Sequence, residues 1–341
     1  MRPLVSILIP CYNAAPWLAQ TLESALAQTW TPTEIIVVDD GSTDGSVAIA
    51  QSFAPRGVTV IAQSNRGASA TRNTAFNASK GEFIQFLDAD DLLSPNKIAD
   101  QVQLLQQSPL HCMAICSTMH FFDGDDPAGG IFHEGLPFFA DSDDPVAWLT
   151  RLFGGDGEGA MVHPGAWLMP RAIAEQIGPW NEALTVDDDG EYFARAILSS
   201  AGIRRSPTAV SYYRKHRSGV SLSGARSERH QRSALLALDL KTQHLLAHTQ
   251  DPRAKRALAR CFLEYAVAAY PAHRSLAAAA LKQVKALGGS DYHPPLGGQG
   301  LQWIGRIFGW KVARRISVQA QRWKTRGRSA AFSLPSQSVS S

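Results

Sequence analysis

Between residues 4 and 87, four short apolar runs alternate with three stretches of helical period. The runs occupy residues 4–9, 34–38, 58–62 and 83–87; the helical stretches occupy 17–28, 46–53 and 68–79. Strands that are apolar without alternation are covered on both faces. Strands separated by single helices make βαβ units, whose crossovers set the strands parallel. The expected fold class is therefore α/β, with a mostly parallel sheet flanked by helices. In such sheets ligands bind beyond the carboxyl ends of the strands, so the residues that follow each run carry the functional signal.

Three of those ends are polar: Pro10-Cys11-Tyr12-Asn13, Asp39-Asp40-Gly41-Ser42 and Asp88-Ala89-Asp90-Asp91. The third is the sharpest. It sets three carboxylates directly after Phe86-Leu87, where a dehydrated charge is costly without a partner. A divalent cation is one such partner. Mg²⁺ and Mn²⁺ take one or two carboxylates and complete their shell with phosphate oxygens and water. The alternative is a solvated turn whose Asp residues cap the next helix. Three polar clusters on one rim favour a metal–diphosphate site.

Further along, residues 111–119 read as another strand, 123–159 as irregular and 171–177 as a helix. Asp187-Asp188-Asp189-Gly190-Glu191 opens a helix over 192–199, where acidic residues also suit the macrodipole. Residues 226–287 are Ala/Leu-rich and helical, with breaks at Asp251-Pro252 and Tyr270-Pro271. A Gly/Pro linker at 290–299 leads to 301–328, which carries eight Lys/Arg and no acid, together with Trp303, Trp310 and Trp323. As one helix this segment sets Leu301, Ile304, Phe308, Val312 and Ile316 on one side and leaves Trp303, Ile307 and Trp310 elsewhere. Residues 329–341 are Ser-rich and read as disordered. The expected organisation is a catalytic domain at 1–222, a helical extension at 223–289, and a linker, basic helix and loose end at 290–341.

The net charge of +3 hides a division. Residues 1–200 hold nine Lys/Arg against 25 Asp/Glu, whereas residues 201–341 hold 24 against five. The acidic part suits a metal. The basic part suits an anionic membrane surface or the acidic part of its own chain. No nucleic-acid motif accompanies the charge, so nucleic acid is not expected as a partner. Cys11, Cys112, Cys116 and Cys261 have no zinc spacing and read as free thiols in a reducing compartment. The start of the chain does not read as a signal peptide, and no run reaches the ~20 apolar residues of a membrane span. The expected location is cytoplasmic, peripheral on the cytoplasmic face of the membrane.

Taken together, the motifs resemble those of the family 2 glycosyltransferases, inverting sugar-nucleotide transferases of the GT-A group. The resemblance is carried by Val5-Ser6-Ile7-Leu8-Ile9-Pro10-Cys11-Tyr12-Asn13, by Glu34-Ile35-Ile36-Val37-Val38-Asp39-Asp40-Gly41-Ser42-Thr43-Asp44, and by Asn65-Arg66-Gly67-Ala68-Ser69-Ala70-Thr71-Arg72-Asn73. Asp88-Ala89-Asp90-Asp91 and Asp188-Asp189-Gly190-Glu191-Tyr192-Phe193-Ala194-Arg195 complete it. It covers about residues 3–220 and none of 226–341.

The resemblance implies a GT-A-type sheet followed by a helical C-terminal region, a UDP-linked sugar donor, Mn²⁺ or Mg²⁺, and a saccharide or lipid-linked acceptor of the cell envelope. Tyr12 would lie against the base, with the backbone of Pro10 and Asn13 beneath it. Asp40 would accept from a uracil-type imide N–H, since an ionised carboxylate only accepts. Arg72 would approach the base or the diphosphate. Asp88, Ala89 and Asp90 would form the donor-side turn, with Asp88 on the ribose or a metal-bound water and Asp90 on the metal. By motif position Asp189 is the general base. The family usually shows Glu-Asp there, and three consecutive Asp residues leave Asp188 as an alternative. Glu191, His163 and Trp180 would shape the acceptor side, while His216 and Arg217 would offer cations to the departing diphosphate. Two other readings compete. A sugar nucleotidyltransferase would want a Gly/Lys/Arg-rich loop where this chain has Pro10-Cys11-Tyr12-Asn13. A non-catalytic nucleotide-sugar or membrane scaffold would need neither Asp90 nor an acidic base.

Overall fold

The computed structural model describes residues 2–132, 138–216 and 227–331, with side chains as far as residue 320. Arg217 and residues 332–341 lie outside the described residues; of the stretch 329–341 expected to be disordered, residues 329–331 are helical. The chain divides into two compact units, Met1–Ala257 and Leu258–Ser341.

The first unit opens with the expected alternation: β1 (Val5–Cys11), α1 (Leu18–Leu26), β2 (Thr33–Asp39), α2 (Ser46–Ser52), β3 (Val58–Ala62), α3 (Ala68–Ala78) and β4 (Phe83–Phe86). It continues through β5 (Leu92–Leu93), α4 (Lys97–Gln106), β6 (Cys112–Phe122), β7 (Ile131–Phe132), α5 (Pro145–Leu152), β8 (Trp167–Pro170), α6 (Arg171–Ile177), α7 (Asp188–Ser199), β9 (Gly202–Lys215) and α8 (Glu228–His248). The strands form one sheet in the order β3-β2-β1-β4-β8-β6-β9-β5, with β7 beside β6. The first four are mutually parallel, as single-helix crossovers require. Beyond them the sheet is mixed. β8 runs antiparallel to both β4 and β6, and β9 is parallel to β6 but antiparallel to β5. Pairing between β6 and β9 jumps from Cys116–Ser206 to Ser117–Val210. Pro207 lies in the skipped stretch, where a residue without an N–H does no harm to the ladder.

Both faces of the parallel half are covered. Ile7, Ile9, Ile35 and Val37 share a buried cluster with Leu18, Leu22 and Ala25 of α1 and with Ile98, Val102 and Leu105 of α4. The spacing i, i+4, i+7 in α1 makes a single apolar stripe, and each fully buried Leu contributes about 1.5–3 kcal/mol. The alternate residues Leu8, Ile36, Val38 and Phe86 are buried too. Phe86 meets Trp180 and Tyr192 edge-on at 5.0 and 5.8 Å.

One stretch expected to be irregular holds α5. Asp144 accepts a hydrogen bond from the Ala147 N–H (2.9 Å), Pro145 occupies the first turn, and Trp148, Leu149 and Leu152 are buried. Asp followed by Pro is a helix start, and the Gly-rich flanks had masked it.

Helix α9 (Pro252–Ala269) spans the division between the units; α10 (Arg274–Ala286), α11 (Gln299–Phe308) and α12 (Trp310–Ala331) belong to the second. There Leu263, Val267, Leu296 and Ala313 form a buried cluster, with Ile304 and Trp310 packed against it. The single helix expected over 301–328 is two, because Gly309 sits at φ +81°, a conformation that glycine alone adopts freely. All four cysteines are free thiols. Among the described residues, no helix is long and apolar enough to cross a membrane.

Candidate active site

β1 and β2 stay in register to their last residues, Cys11 beside Asp39. The chain that follows each strand therefore emerges side by side on one rim. Tyr12 exposes 53% of its surface there. Asn13, at φ +50°, ties the two loops together: its N–H donates to Ser42 Oγ (2.9 Å) and its Oδ1 accepts from the Thr43 N–H (2.8 Å). Asp40 is buried. Its Oδ1 accepts from Gln63 Nε2 (2.7 Å) and the Arg66 N–H (2.9 Å), and its Oδ2 accepts from the Gly67 N–H (2.8 Å). A carboxylate offers about four lone-pair sites, so one site on Oδ2 remains for a ligand.

β4 ends at Phe86, and the Asp91 N–H donates to the Asp88 carbonyl (3.1 Å), closing a tight turn. Arg214 of β9 clamps that turn. Its backbone N–H donates to Asp91 Oδ1 (2.8 Å) and its Nε to the Asp90 carbonyl (2.7 Å). Its two terminal nitrogens are held by Asp123 (3.1 Å) and Gln20 (2.7 Å). Asp91 lies beneath the turn, where burial and then the charges of Asp90 and Asp88 push its carboxyl well up. His163 Nε2 is 4.0 Å away, and burial drives that ring down to about 3. Two buried side chains therefore floor the turn.

Asp88 and Asp90 are the open carboxylates, 28% and 30% exposed. Asp88 Oδ1 accepts from Arg72 Nη2 (2.8 Å), and Asp90 Oδ2 lies 2.7 Å from His216 Nε2. Burial and then Asp88 raise the Asp90 carboxyl, with His216 opposing. Each acid keeps a second oxygen. Two hard oxygen donors that repel one another fit Mg²⁺ or Mn²⁺. Among the described residues, no group of three His, Cys, Asp or Glu gathers to hold a metal. An ion here would need phosphate oxygens and water to complete its shell.

At the start of α7, Asp187 takes φ +60° and its carboxylate binds Lys241 of α8 (2.5 Å). That carboxylate occupies the place a Cβ would take at position 190, which is Gly. Asp188 accepts from Ser69 Oγ (2.9 Å) and Arg72 Nη1 (2.8 Å). Arg72 thus holds Asp88 with one nitrogen and Asp188 with the other, its guanidinium 4.5 Å from the Trp180 ring centre. One buried side chain joins the two acidic clusters. Among the described residues, Asp189 accepts from the Gly190 N–H (2.9 Å) and pairs with no cation. Loss of hydration, then Asp188 and Asp187, push its carboxyl up to about 7, against the pull of Arg72. A carboxylate that binds protons near neutral pH is suited to act as a general base.

Three residues expected on the acceptor side are occupied elsewhere. Trp180 is buried, stacked on Tyr192 at 4.0 Å and 7° and covered by Arg72, so it has no ring face for a sugar. Glu191 turns to Arg195 (2.7 Å) and His244 (3.0 Å). His163 is buried with its ring nitrogens at Ser211 Oγ (2.9 Å) and Thr118 Oγ1 (3.4 Å). In each case packing between α7, α8 and the sheet claims the side chain. Sequence reasoning also missed partners that matter: Ser69, Lys241 and the clamping role of Arg214. Arg214 stands two residues before His216, and Ser69 lies within the motif that ends in Arg72 and Asn73, but neither was given a role. Lys241 carried no local signal.

Residues 6–178 match the model of glycosyl transferase family 2. An uncharacterized glycosyltransferase of Bacillus subtilis, EpsJ, is 45% identical over 96 residues, which is 28% of this chain and 28% of EpsJ. The aligned part of that curated relative is thus well under two thirds of its length. Among solved structures, S. aureus TarS 1–349 in complex with UDP-GlcNAc superposes with a TM-score of 0.64 at 18% identity, covering 94% of this chain and 92% of that one. A mannosyltransferase of Pyrobaculum calidifontis, PcManGT, in complex with GDP-Man and Mn²⁺, gives 0.51 at 18% identity, with 95% and 88% covered. At that identity the likeness concerns the fold.

Proposed function

We propose that this chain, which belongs to glycosyl transferase family 2, moves a sugar from a UDP-linked donor to an acceptor hydroxyl with inversion. The observation that carries the reading is Asp189: a half-buried carboxylate without a cation, beside Asp188, which one arginine ties to Asp88. The acceptor hydroxyl attacks the anomeric carbon from the face opposite the diphosphate. Its proton passes to Asp189, and the bond from the anomeric carbon to the diphosphate oxygen breaks. Through an oxocarbenium-like state, negative charge builds on the leaving group.

Asp90, with Asp88, would hold a divalent ion, which supplies Lewis-acid stabilisation of that charge when bound. PcManGT was solved in complex with GDP-Man and Mn²⁺, which supports this part. Tyr12 offers its exposed ring to the base, and Asp40 its one remaining lone pair to an imide N–H. Arg72 holds Asp188 and Asp88 in register, so the base and the donor turn keep a fixed relation. His216, hydrogen-bonded to Asp90, would offer its ring to the diphosphate. The acceptor is a saccharide or glycolipid of envelope polysaccharide or glycoconjugate synthesis, met at the cytoplasmic face of the membrane. An ordered base candidate at the rim and family membership favour transfer over a passive scaffold.

The test is calorimetric binding of UDP, GDP, CDP and TDP with and without Mn²⁺, followed by nucleotide release from UDP-sugars across a panel of acceptors. Mn²⁺-dependent UDP binding with acceptor-stimulated release supports the reading. A folded protein that binds none of the four overturns it.

A further inference from the structure

Helices α11 and α12 carry two apolar faces where one would suffice to pack them. Ile304, Trp310 and Ala313 turn inward onto Leu263, Val267 and Leu296. Arg314 Nε reinforces that contact by donating to the Val267 carbonyl (3.0 Å). The second face is left in the open: Trp303 is 68% exposed, Ile307 55%, Phe308 66%, Val312 41% and Ile316 40%. Five large apolar side chains within fourteen residues are far from the scattered singles that any surface shows. Gly309 lets the chain turn between Phe308 and Trp310, so both helices contribute to the open set.

The charge around that face has one sign. From residue 292 to the end of the chain there are eight Lys/Arg and neither Asp nor Glu. Arg306, Lys311 and Arg315 stand among the open apolar residues in sequence. An isologous contact with a second copy would bring this uniformly basic face against itself. A bilayer with anionic headgroups matches both properties at once: it takes Trp, Phe and Ile into the headgroup–acyl boundary and neutralises Lys and Arg at the surface. Among the described residues no helix is long and apolar enough to cross a membrane, so attachment through this face would lie in the plane of the interface.

We infer that the open face formed by Trp303, Ile307, Phe308, Val312 and Ile316 is a docking surface for an anionic lipid bilayer. This deepens the membrane-side part of the function proposed above, and it does not depend on sugar transfer. Attraction to an anionic surface weakens about fivefold for each basic residue neutralised, and it weakens with salt.

The full chain is mixed with vesicles of phosphatidylcholine alone or of equal parts phosphatidylcholine and phosphatidylglycerol, and sedimented. The expected result is co-sedimentation with the anionic vesicles only, reversed by salt. The triple variant W303S/I307S/F308S should bind at least about tenfold more weakly, with an unchanged melting temperature because these side chains are exposed. R306Q/K311Q/R315Q should lose most of the salt-sensitive part. Lipids brominated near the headgroup should quench wild-type fluorescence more than that of W303F. Wild type that stays in the supernatant at low salt overturns the inference, as does a triple variant that binds undiminished. So does light scattering that shows an oligomer dissolved by the triple variant, since the face would then be a subunit interface. UDP binding by calorimetry, measured on the same samples, separates this failure from failure of the transferase reading.

Discussion

If Asp189 is the base, removing its charge should stabilise the protein while silencing it. The carboxyl is pushed from an ordinary 3.8 up to about 7. A group whose folded value is raised costs the folded state once it ionises, so stability falls as pH rises from about 4 through about 7. Three units at about 1.4 kcal/mol each bound that cost at about 4 kcal/mol. Partial exposure and relaxation around Arg72 reduce it to about 1–2 kcal/mol in practice. Asp189→Asn escapes the cost. At about pH 8, without donor or metal, it should melt roughly 2–8 °C above the wild type, and the gap should close as pH falls toward about 4. Transfer should drop about 10²–10⁴-fold, and wild-type kcat/KM should lose half its value on the acid side near pH 7. Differential scanning calorimetry and a coupled assay for released UDP read both effects. A variant that melts at or below the wild type at about pH 8 refutes the reasoning, as does one that transfers within about tenfold of it.

Asp188→Asn should move stability the other way, by about 2–4 kcal/mol downward, because it takes one of two carboxylates from a buried arginine; urea unfolding checks this. Asp90→Asn should leave UDP binding indifferent to Mn²⁺ in calorimetry, whereas wild-type binding should tighten when the ion is added. Glu191→Gln should cost about 1–3 kcal/mol of stability through the lost Arg195 and His244 pairing. Its acceptor KM should stay at the wild-type value, since Glu191 faces away from the rim.

The parallel half of the sheet was legible because its signal is local. Runs of five or six residues with one polar residue each leave no alternating polar face, and three of the four are followed directly by a polar cluster of the rim. The mixed half was not, because β8 and β9 owe their direction to pairing with β4 and β6 rather than to a crossover written nearby. The same limit applies to side chains. Trp180 and Glu191 carry the types expected of an acceptor site; the i,i+4 spacing of Glu191 and Arg195 was a local sign of their pairing, whereas Arg72 and His244 reach Trp180 and Glu191 from far along the chain. Helix α12 shows the converse. The wheel drawn over 301–328 was imperfect because Gly309 divides the segment into α11 and α12, each with one side toward the core of its own unit and one left open.

The six acids of the rim can be ordered by how firmly the protein holds them, and the order sorts their roles. Asp91 is buried beneath the turn and held by the Arg214 backbone N–H. Asp187 is held by a lysine, and Asp188 by an arginine and a serine hydroxyl. Asp88 shares that arginine but keeps an oxygen open, and Asp90 meets only the titratable ring of His216. Asp189 has no cation at all among the described residues. Acids held by permanent cations gain little from a ligand, because their charge is already compensated. Those left to a histidine or to nothing stand at the highest electrostatic cost, and a metal ion or an acceptor proton relieves it. The two least compensated acids are Asp90 and Asp189, one in each cluster, and Arg72 is the strut between the clusters. In the proposed transfer Asp90 would take the ion and Asp189 the acceptor proton, the two demands of moving a sugar off a diphosphate.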